Sequence, residues 1–245
     1  MTHILITGAS SGIGEALAIH YSKPDVTISI CGRNEERLNK VAAKCRILGA
    51  TIHTKIINVA DKPAMQKWML ECDAREALDL IIANAGVSGS AGDFKNADDL
   101  FAVNMNGVCN TIHPILPTMI ERGHGQIAML SSLAGYRGLP SAPAYSASKC
   151  FVKAYAEALR GQMRLSGVKI NVICPGFVKS RITDQNNFKM PGFMQADSAA
   201  KLIANGLRKN KPVIAFPSTM VFGAWFLSIL PSFLFQWVAD KLPNK

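Results

Sequence analysis

Acidic residues are in short supply in this sequence: 17 Asp and Glu stand against 27 Lys and Arg, a formal charge of +10. Such an excess of cations raises nucleic acid or an anionic membrane as a partner. The sequence lacks a basic run interleaved with aromatics, however, and only 7% of its residues are aromatic, so no nucleic acid is expected to bind. Solvated surface and an anionic cofactor account for the cations. Cysteine is sparse too, and the six at 31, 45, 72, 109, 150 and 174 form no Cys-x-x-Cys pair. Reduced, buried thiols in a cytoplasmic setting are the expectation, not a disulfide scaffold. The five histidines are equally dispersed, which leaves no metal-ligand spacing. Repeats, low-complexity tracts and linkers are missing from the 245 residues, a length that suits one α/β core. An apolar strand begins at His3 without the basic region and cleavage site of a signal peptide.

What is present is a regular alternation of apolar strands and helices. Strands are expected at 3–7, 26–31, 51–57, 78–83, 125–130, 168–174 and 213–216. Several are almost continuously apolar, as in a parallel sheet covered on both faces. Gly49 should stop a helix over 38–48, while Asp61 with Pro63 should open the next. A long helix is expected over 98–121, carrying Asn104, and further helices over 145–164 and 196–209.

The chemistry-bearing residues gather at the expected strand ends, where ligands collect in such sheets. After the first strand comes Gly8-Ala9-Ser10-Ser11-Gly12-Ile13-Gly14, which turns directly into a helix. Glycines there let the backbone approach a pyrophosphate, and the helix N-terminus attracts its charge. The spacing is Gly-x-x-x-Gly-x-Gly, a departure from the commoner Gly-x-Gly-x-x-Gly. The second strand ends at Gly32-Arg33 with no carboxylate for a ribose diol; Arg33 stands there, with Arg37 a helical turn onward and Lys40 nearby. A guanidinium at that point suits a 2′-phosphate, so NADP is expected over NAD. Asn58-Val59 follows the third strand and Asn84-Ala85-Gly86 the fourth.

The fifth strand delivers Ser131-Ser132, and Tyr145 follows 13 residues later with Lys149 four residues beyond it. On one helix, Tyr145 and Lys149 share a face with side-chain bases ~5–6 Å apart. Free tyrosine titrates near ~10, and a neighbouring ammonium favours its phenolate. Bringing it to about 7 takes about 4 kcal/mol, which is the reason for a paired cation. The Ser132 hydroxyl could hold a carbonyl oxygen in line with the phenol. The sixth strand ends in Pro175-Gly176-Phe177-Val178-Lys179-Ser180.

In their order and spacing, the glycine turn, Asn84-Ala85-Gly86, Asn104, Ser132, Tyr145-x-x-x-Lys149 and Pro175-Gly176 resemble the short-chain dehydrogenase/reductase family over about 3–216. The resemblance implies a Rossmann-like, doubly wound sheet of seven parallel strands, and hydride transfer between a nicotinamide and a carbonyl or alcohol. It makes Tyr145 the general acid and Lys149 the cation that lowers its pKa and binds the nicotinamide ribose. Ser132 would orient the substrate oxygen and Asn104 support a water-linked proton relay. Gly8, Ser10, Ser11, Gly12, Ile13 and Gly14 would wrap the phosphates. Asn84, Ala85 and Gly86 would line the adenosine-side ribose, and Pro175, Gly176, Val178 and Ser180 the nicotinamide. Asn58 stands where the family often has Asp, and Ser180 where threonine is common. A homodimer or homotetramer built on the two long helices is also implied. An epimerase or dehydratase, or a non-catalytic cofactor sensor docked through its tail, are the alternative functions.

Residues 1–216 thus read as the catalytic domain, with a substrate loop over 181–195. Phe188, Met190, Phe193 and Met194 in that loop suit an apolar substrate of lipid, steroid or retinoid type, or merely pack the lid. The extension over 217–245 is unusual, because the 28 residues of 212–239 include no charge. A helix apolar all round is buried or in lipid. Pro231 divides the segment, aromatics crowd it, and Lys209, Lys211, Lys241 and Lys245 flank it. An interfacial anchor over 217–239, a flap on the substrate pocket or subunit contact, and a membrane span all remain open.

Overall fold

A computed structural model describes residues 2–89, 96–185 and 190–239. Its strands β1 (Thr2–Thr7), β2 (Val26–Gly32), β3 (Thr51–Ile56), β4 (Leu78–Ala83), β5 (Gly125–Leu130), β6 (Val168–Pro175) and β7 (Val213–Phe216) lie close to their expected limits. They form one sheet in the order β3-β2-β1-β4-β5-β6-β7, with every pairing parallel. The period-two alternation of a strand explains how continuous apolar runs serve two layers at once. Ile4 and Ile6 point into one core with Ile28, Ile30 and Ile82, whereas Leu5 points into the opposite core with Ile81, Ile127 and Met129. Helices α1 (Gly12–Tyr21) and α2 (Glu35–Ile47) cover the first face, and α3 (Lys62–Arg75) the second.

Caps set two helix starts, of which only the one at Asp61 was expected. Asn34 Oδ1 accepts the Arg37 backbone N–H at 2.9 Å and begins α2 earlier than the apolar periodicity alone indicates. Asp61 accepts from Ala64 N at 3.1 Å, with Pro63 in the first turn of α3.

The long helix expected over 98–121 is a correction. The chain instead forms α4 (Ala97–Phe101), a π-helical stretch (Ala102–Asn106), α5 (Gly107–Ile112) and α6 (Leu116–Glu121). Pro114 and Pro117 explain the second break, since proline has no N–H and clashes with the preceding turn; Pro117 then sits in the first turn of α6. The π stretch coincides with Asn104, whose bonds are described below. α7 (Pro143–Gln162) returns along the second face, and α8 (Ala196–Arg208) packs beside α1 on the first. α9 (Ser218–Ile229) and α10 (Ser232–Ala239) follow β7, separated at Pro231. Among the described residues no helix is long and apolar enough to cross a membrane. Cys31, Cys45, Cys72 and Cys174 are buried thiols, but Cys109 and Cys150 are only half-buried.

Strand order reverses between β1 and β4, whose carboxyl ends therefore border a crevice. The candidate site occupies it.

Candidate active site

The first wall of the crevice is the turn from β1 into α1. Gly8 (φ +67°) and Gly12 (φ +59°) adopt the left-handed backbone that favours glycine, and a Cβ on Gly8 would lie 2.7 Å from Ala85 Cα. Gly14 serves differently: its Cβ would lie 2.5 Å from Gly8 O and 2.6 Å from Asn84 Nδ2. It sits behind the cleft wall and packs the turn. Asn84 braces that turn, with Nδ2 donating to Thr7 O at 2.9 Å and Gly8 O at 3.2 Å. The Ser11 side chain makes no capping bond, so the first-turn amides of α1 are left to an anion.

A cleft of about 430 Å³ runs from this turn along the strand ends. Gly8, Ser10, Ser11, Gly12, Ile13, Arg33, Arg37, Asn58, Val59, Asn84, Ala85, Gly86, Tyr145, Lys149, Pro175, Gly176, Val178 and Ser180 all line it. At one end stand Arg33, which is exposed, and Arg37, whose Nε–H is buried without a hydrogen-bond partner among the described residues. Lys40 turns away to Glu36 at 2.6 Å. Asn58 Oδ1 accepts from Ala60 N at 3.2 Å, which leaves its amide N–H groups for a ligand.

At the other end Tyr145, Lys149 and Ser132 converge. Lys149 is buried; its ammonium donates to Leu130 O at 3.0 Å and lies 5.6 Å from the centre of the Tyr145 ring. Ser131 Oγ donates to Lys149 O at 2.7 Å and fastens α7 to the end of β5. Ser132 Oγ accepts from Ala134 N at 3.1 Å and donates to Pro175 O at 3.4 Å, and its hydroxyl lies near enough to the Tyr145 phenol to act on its ionisation. The expected depression of the Tyr145 pKa is not what this geometry gives. Burial raises it above the ordinary value, and the Ser132 hydroxyl offsets that only in part. Burial also lowers Lys149, to about 8. Each group loses hydration on ionising, and desolvation is the largest cause of both shifts. The phenol is consequently protonated at neutral pH, the state a proton donor needs.

Asn104 is fully buried and does not line the cleft. Its Oδ1 accepts Val87 N at 2.8 Å, while Nδ2 donates to Val87 O at 2.9 Å and Ser148 Oγ at 3.1 Å. Both amide hydrogens are used and one Oδ1 lone pair is left. The side chain clamps the segment after β4 to α7.

A second cavity of about 440 Å³ adjoins the cleft, with a mostly apolar lining. Ser132, Tyr145 and Gly176 belong to both walls, as do Ser88, Ile182 and Thr183, which sequence reasoning missed. Ile182 and Thr183 lie in the expected substrate loop, and Thr183 Oγ1 donates to Val178 O at 3.0 Å. Pro191 of that loop also lines the cavity; Phe188 and Lys189 lie outside the described residues. The opposite wall is α9, through Met220, Gly223, Ala224 and Leu227. Arg137, also missed, donates to the carbonyls of Leu227 (3.1 Å), Ser228 (3.2 Å) and Leu230 (2.5 Å) and lies 4.2 Å from the centre of the Phe235 ring. It pins α9 and α10 to the body beside the cavity; nothing in the sequence around Arg137 signals this. Among the described residues no group of three or more His, Cys, Asp or Glu is placed to hold a metal ion.

This cleft fits a nicotinamide dinucleotide: a left-handed glycine turn, uncapped helix amides and an orphaned Arg37 N–H face one continuous channel ending at Tyr145. Comparison with known proteins agrees. A family model described as short chain dehydrogenase matches residues 2–191. A protein described as an uncharacterized oxidoreductase, from Myxococcus xanthus, is 35% identical over 243 residues, 97% of this chain and 96% of the relative. A short-chain dehydrogenase from Sphingobium yanoikuyae, solved in complex with NADPH, superposes with a TM-score of 0.80 at 21% identity, covering 99% of this chain and 97% of that one. One from Burkholderia phymatum in complex with NAD gives 0.83 at 22% identity, covering 91% of both chains.

Proposed function

The chain belongs to the short-chain dehydrogenase family, and from that premise we propose that it is an NADP-dependent oxidoreductase of bulky apolar carbonyls or alcohols. What carries this reading is the shared wall: Ser132, Tyr145 and Gly176 line both the dinucleotide-sized cleft and the apolar cavity. A carbonyl held there would lie within reach of both the cofactor cleft and the Tyr145 hydroxyl. In reduction the bound nicotinamide supplies the hydride. Tyr145 gives its proton to the substrate oxygen while the Ser132 hydroxyl holds that oxygen in place. The Lys149 ammonium, steadied by Leu130 O, stabilises the phenolate that forms until solvent reprotonates it. In oxidation the same groups run in reverse.

For the cofactor, Arg33 and Arg37 would hold the 2′-phosphate, Asn58 and Val59 the adenine side, and Asn84, Ala85 and Gly86 the adjoining ribose. The turn from Gly8 through Ile13 would hold the pyrophosphate, with Gly14 packing the turn from behind. Lys149, Pro175, Gly176, Val178 and Ser180 would hold the nicotinamide riboside. Asn104 becomes a positioning residue, holding Val87 and α7 together. The apolar lining of the second cavity supports a lipid, steroid or retinoid-like substrate. Residues 1–216 act as the catalytic unit, with α9 of the extension as a cavity wall. A homodimer or homotetramer with α7 at the contact is part of the same proposal.

An epimerase or dehydratase on this site would form product without net consumption of NADPH, and a sensor would bind NADPH without turnover. Steady-state assays of NADPH oxidation against a panel of apolar ketones separate the three.

The pH dependence follows from Lys149. With its pKa lowered to about 8, the ammonium is present below that pH and lost above it. The Tyr145 phenol, shifted the opposite way, stays protonated across the interval. Reductive kcat/KM for the cofactor, which reports the free enzyme, is expected to be flat near neutrality and to fall above pH about 8. A Lys149→Arg variant, permanently charged, should lose that descending limb. A profile unchanged in the variant would assign the limb to another group.

A further inference from the structure

The outward face of the C-terminal helices does nothing in the reaction. On α9, Phe222 (67% exposed), Trp225 (49%), Phe226 (47%) and Ile229 (58%) form one stripe at helical spacing. On α10, Phe233 (74%) and Trp237 (62%) are exposed as well. So much exposed apolar surface on two successive helices is uncommon on a protein that meets only water. Among the described residues α9 and α10 have 12 and 8 residues, and neither is long and apolar enough to cross a bilayer. Twelve helical residues extend about 18 Å, against about 30 Å of hydrocarbon. Both lengths suit helices lying in the plane of a membrane interface, where Trp and Phe are favoured.

Two occupants could cover this stripe, a lipid surface or a second copy of the chain. Charge and position decide between them. The protein carries +10, which draws it to an anionic bilayer, while the subunit contact proposed above lies on α7 and leaves this stripe free. Arg208, Lys209 and Lys211 precede the uncharged segment in sequence, and Lys241 and Lys245, outside the described residues, follow it. The inner face of the same helix adds an independent argument. Met220, Gly223, Ala224 and Leu227 line the apolar cavity, so α9 is a one-helix partition between that cavity and whatever covers the stripe. A watery exterior or a sealed subunit contact gives an apolar substrate no source; a bilayer does. Arg137 makes the arrangement rigid by fixing the carbonyl end of α9 and facing Phe235 of α10. The stripe is thus presented at a set angle to Ser132 and Tyr145.

We propose that the outer face of α9 and α10 docks on an anionic lipid bilayer, lying in its interface, and that apolar substrate enters the cavity from the lipid past α9. The second half rests on the oxidoreductase reading of the cavity; the first does not.

The test is co-sedimentation of the full chain with vesicles of equal parts phosphatidylcholine and phosphatidylglycerol, beside vesicles of phosphatidylcholine alone. Binding to the mixed vesicles is expected, weaker in high salt and on the neutral vesicles. A triple variant, Phe222→Gln, Trp225→Gln and Phe233→Gln, should bind at least about tenfold more weakly. Its NADPH affinity should be unchanged, which shows that it is folded. Reduction of a vesicle-dissolved ketone should fall in this variant, while that of a small water-soluble ketone stays the same. A wild-type chain left in the supernatant, or a variant that binds vesicles equally well, overturns the docking. So does a wild-type dimer that the triple variant converts to monomer without any vesicle binding, since the stripe then belongs to a second copy. Vesicle binding without any ketone reduction would leave the docking standing and sink the enzymatic reading instead.

Discussion

Replacing Tyr145 by Phe is expected to lower kcat by at least about a thousandfold and to leave NADPH affinity within about twofold. A positioned general acid contributes roughly 10²–10⁴-fold, and this hydroxyl is the proposed proton donor, on the wall where the two cavities meet. The substitution keeps the ring that lies 5.6 Å from the Lys149 ammonium, so the packing of α7 is preserved. Only the oxygen goes, together with its interaction with the Ser132 hydroxyl. Single-turnover kinetics beside a cofactor titration read both quantities. A variant that turns over at near wild-type rate would mean that the proton comes from elsewhere. Loss of NADPH binding would mean that the phenol serves the cofactor, not the substrate.

The second large effect concerns the far end of the cleft. Arg33→Ala combined with Arg37→Ala should weaken NADPH binding by about 100-fold, or about 2.7 kcal/mol, and leave NADH binding nearly unchanged. Arg37 carries a buried Nε–H that has no partner among the described residues. A buried donor left unpaired costs about 1–3 kcal/mol, and a phosphate oxygen would satisfy it. No carboxylate stands at the end of β2 to bind a ribose diol in its place. Retained NADH binding also serves as the control for folding. If wild type binds the two cofactors equally and the double variant does the same, these arginines are surface cations and the enzyme uses NAD. The solved relatives bind one cofactor or the other, so the shared fold does not choose between them.

Much of this architecture could be read before any coordinates existed. Strands such as β4 and β5 declare themselves through apolar runs bounded by Gly, Asn and Ser. Caps such as Asp61 are local signals, because a side chain bonds a backbone three residues on; the same signal at Asn34 went unread. Their physics lies within one turn of chain. The 98–121 segment shows where local reading falls short. Asn104 looked like one polar residue inside one helix, but its bonds to Val87 and Ser148 span 17 and 44 residues of sequence. The Tyr145 pKa failed for a related reason. Helical spacing puts Lys149 near the ring, but the extent to which burial desolvates both groups is a property of the assembled fold. Arg137 was out of reach altogether, since its partners are the carbonyls of α9 and the Phe235 ring about 90 residues away. The C-terminal extension was legible as an anomaly of composition. Its division into a cavity-lining face and an exposed face needed the three-dimensional packing.

The most direct test follows the hydride itself. Purified protein would be incubated with NADPH deuterated at C4, in each diastereomeric form, and with bulky apolar ketones, and the alcohol analysed by mass spectrometry. One deuterium at the carbinol carbon, from one diastereomer only and absent with Tyr145→Phe, is the expected result. Tight cofactor binding with no deuterium in any alcohol would contradict the proposed reaction.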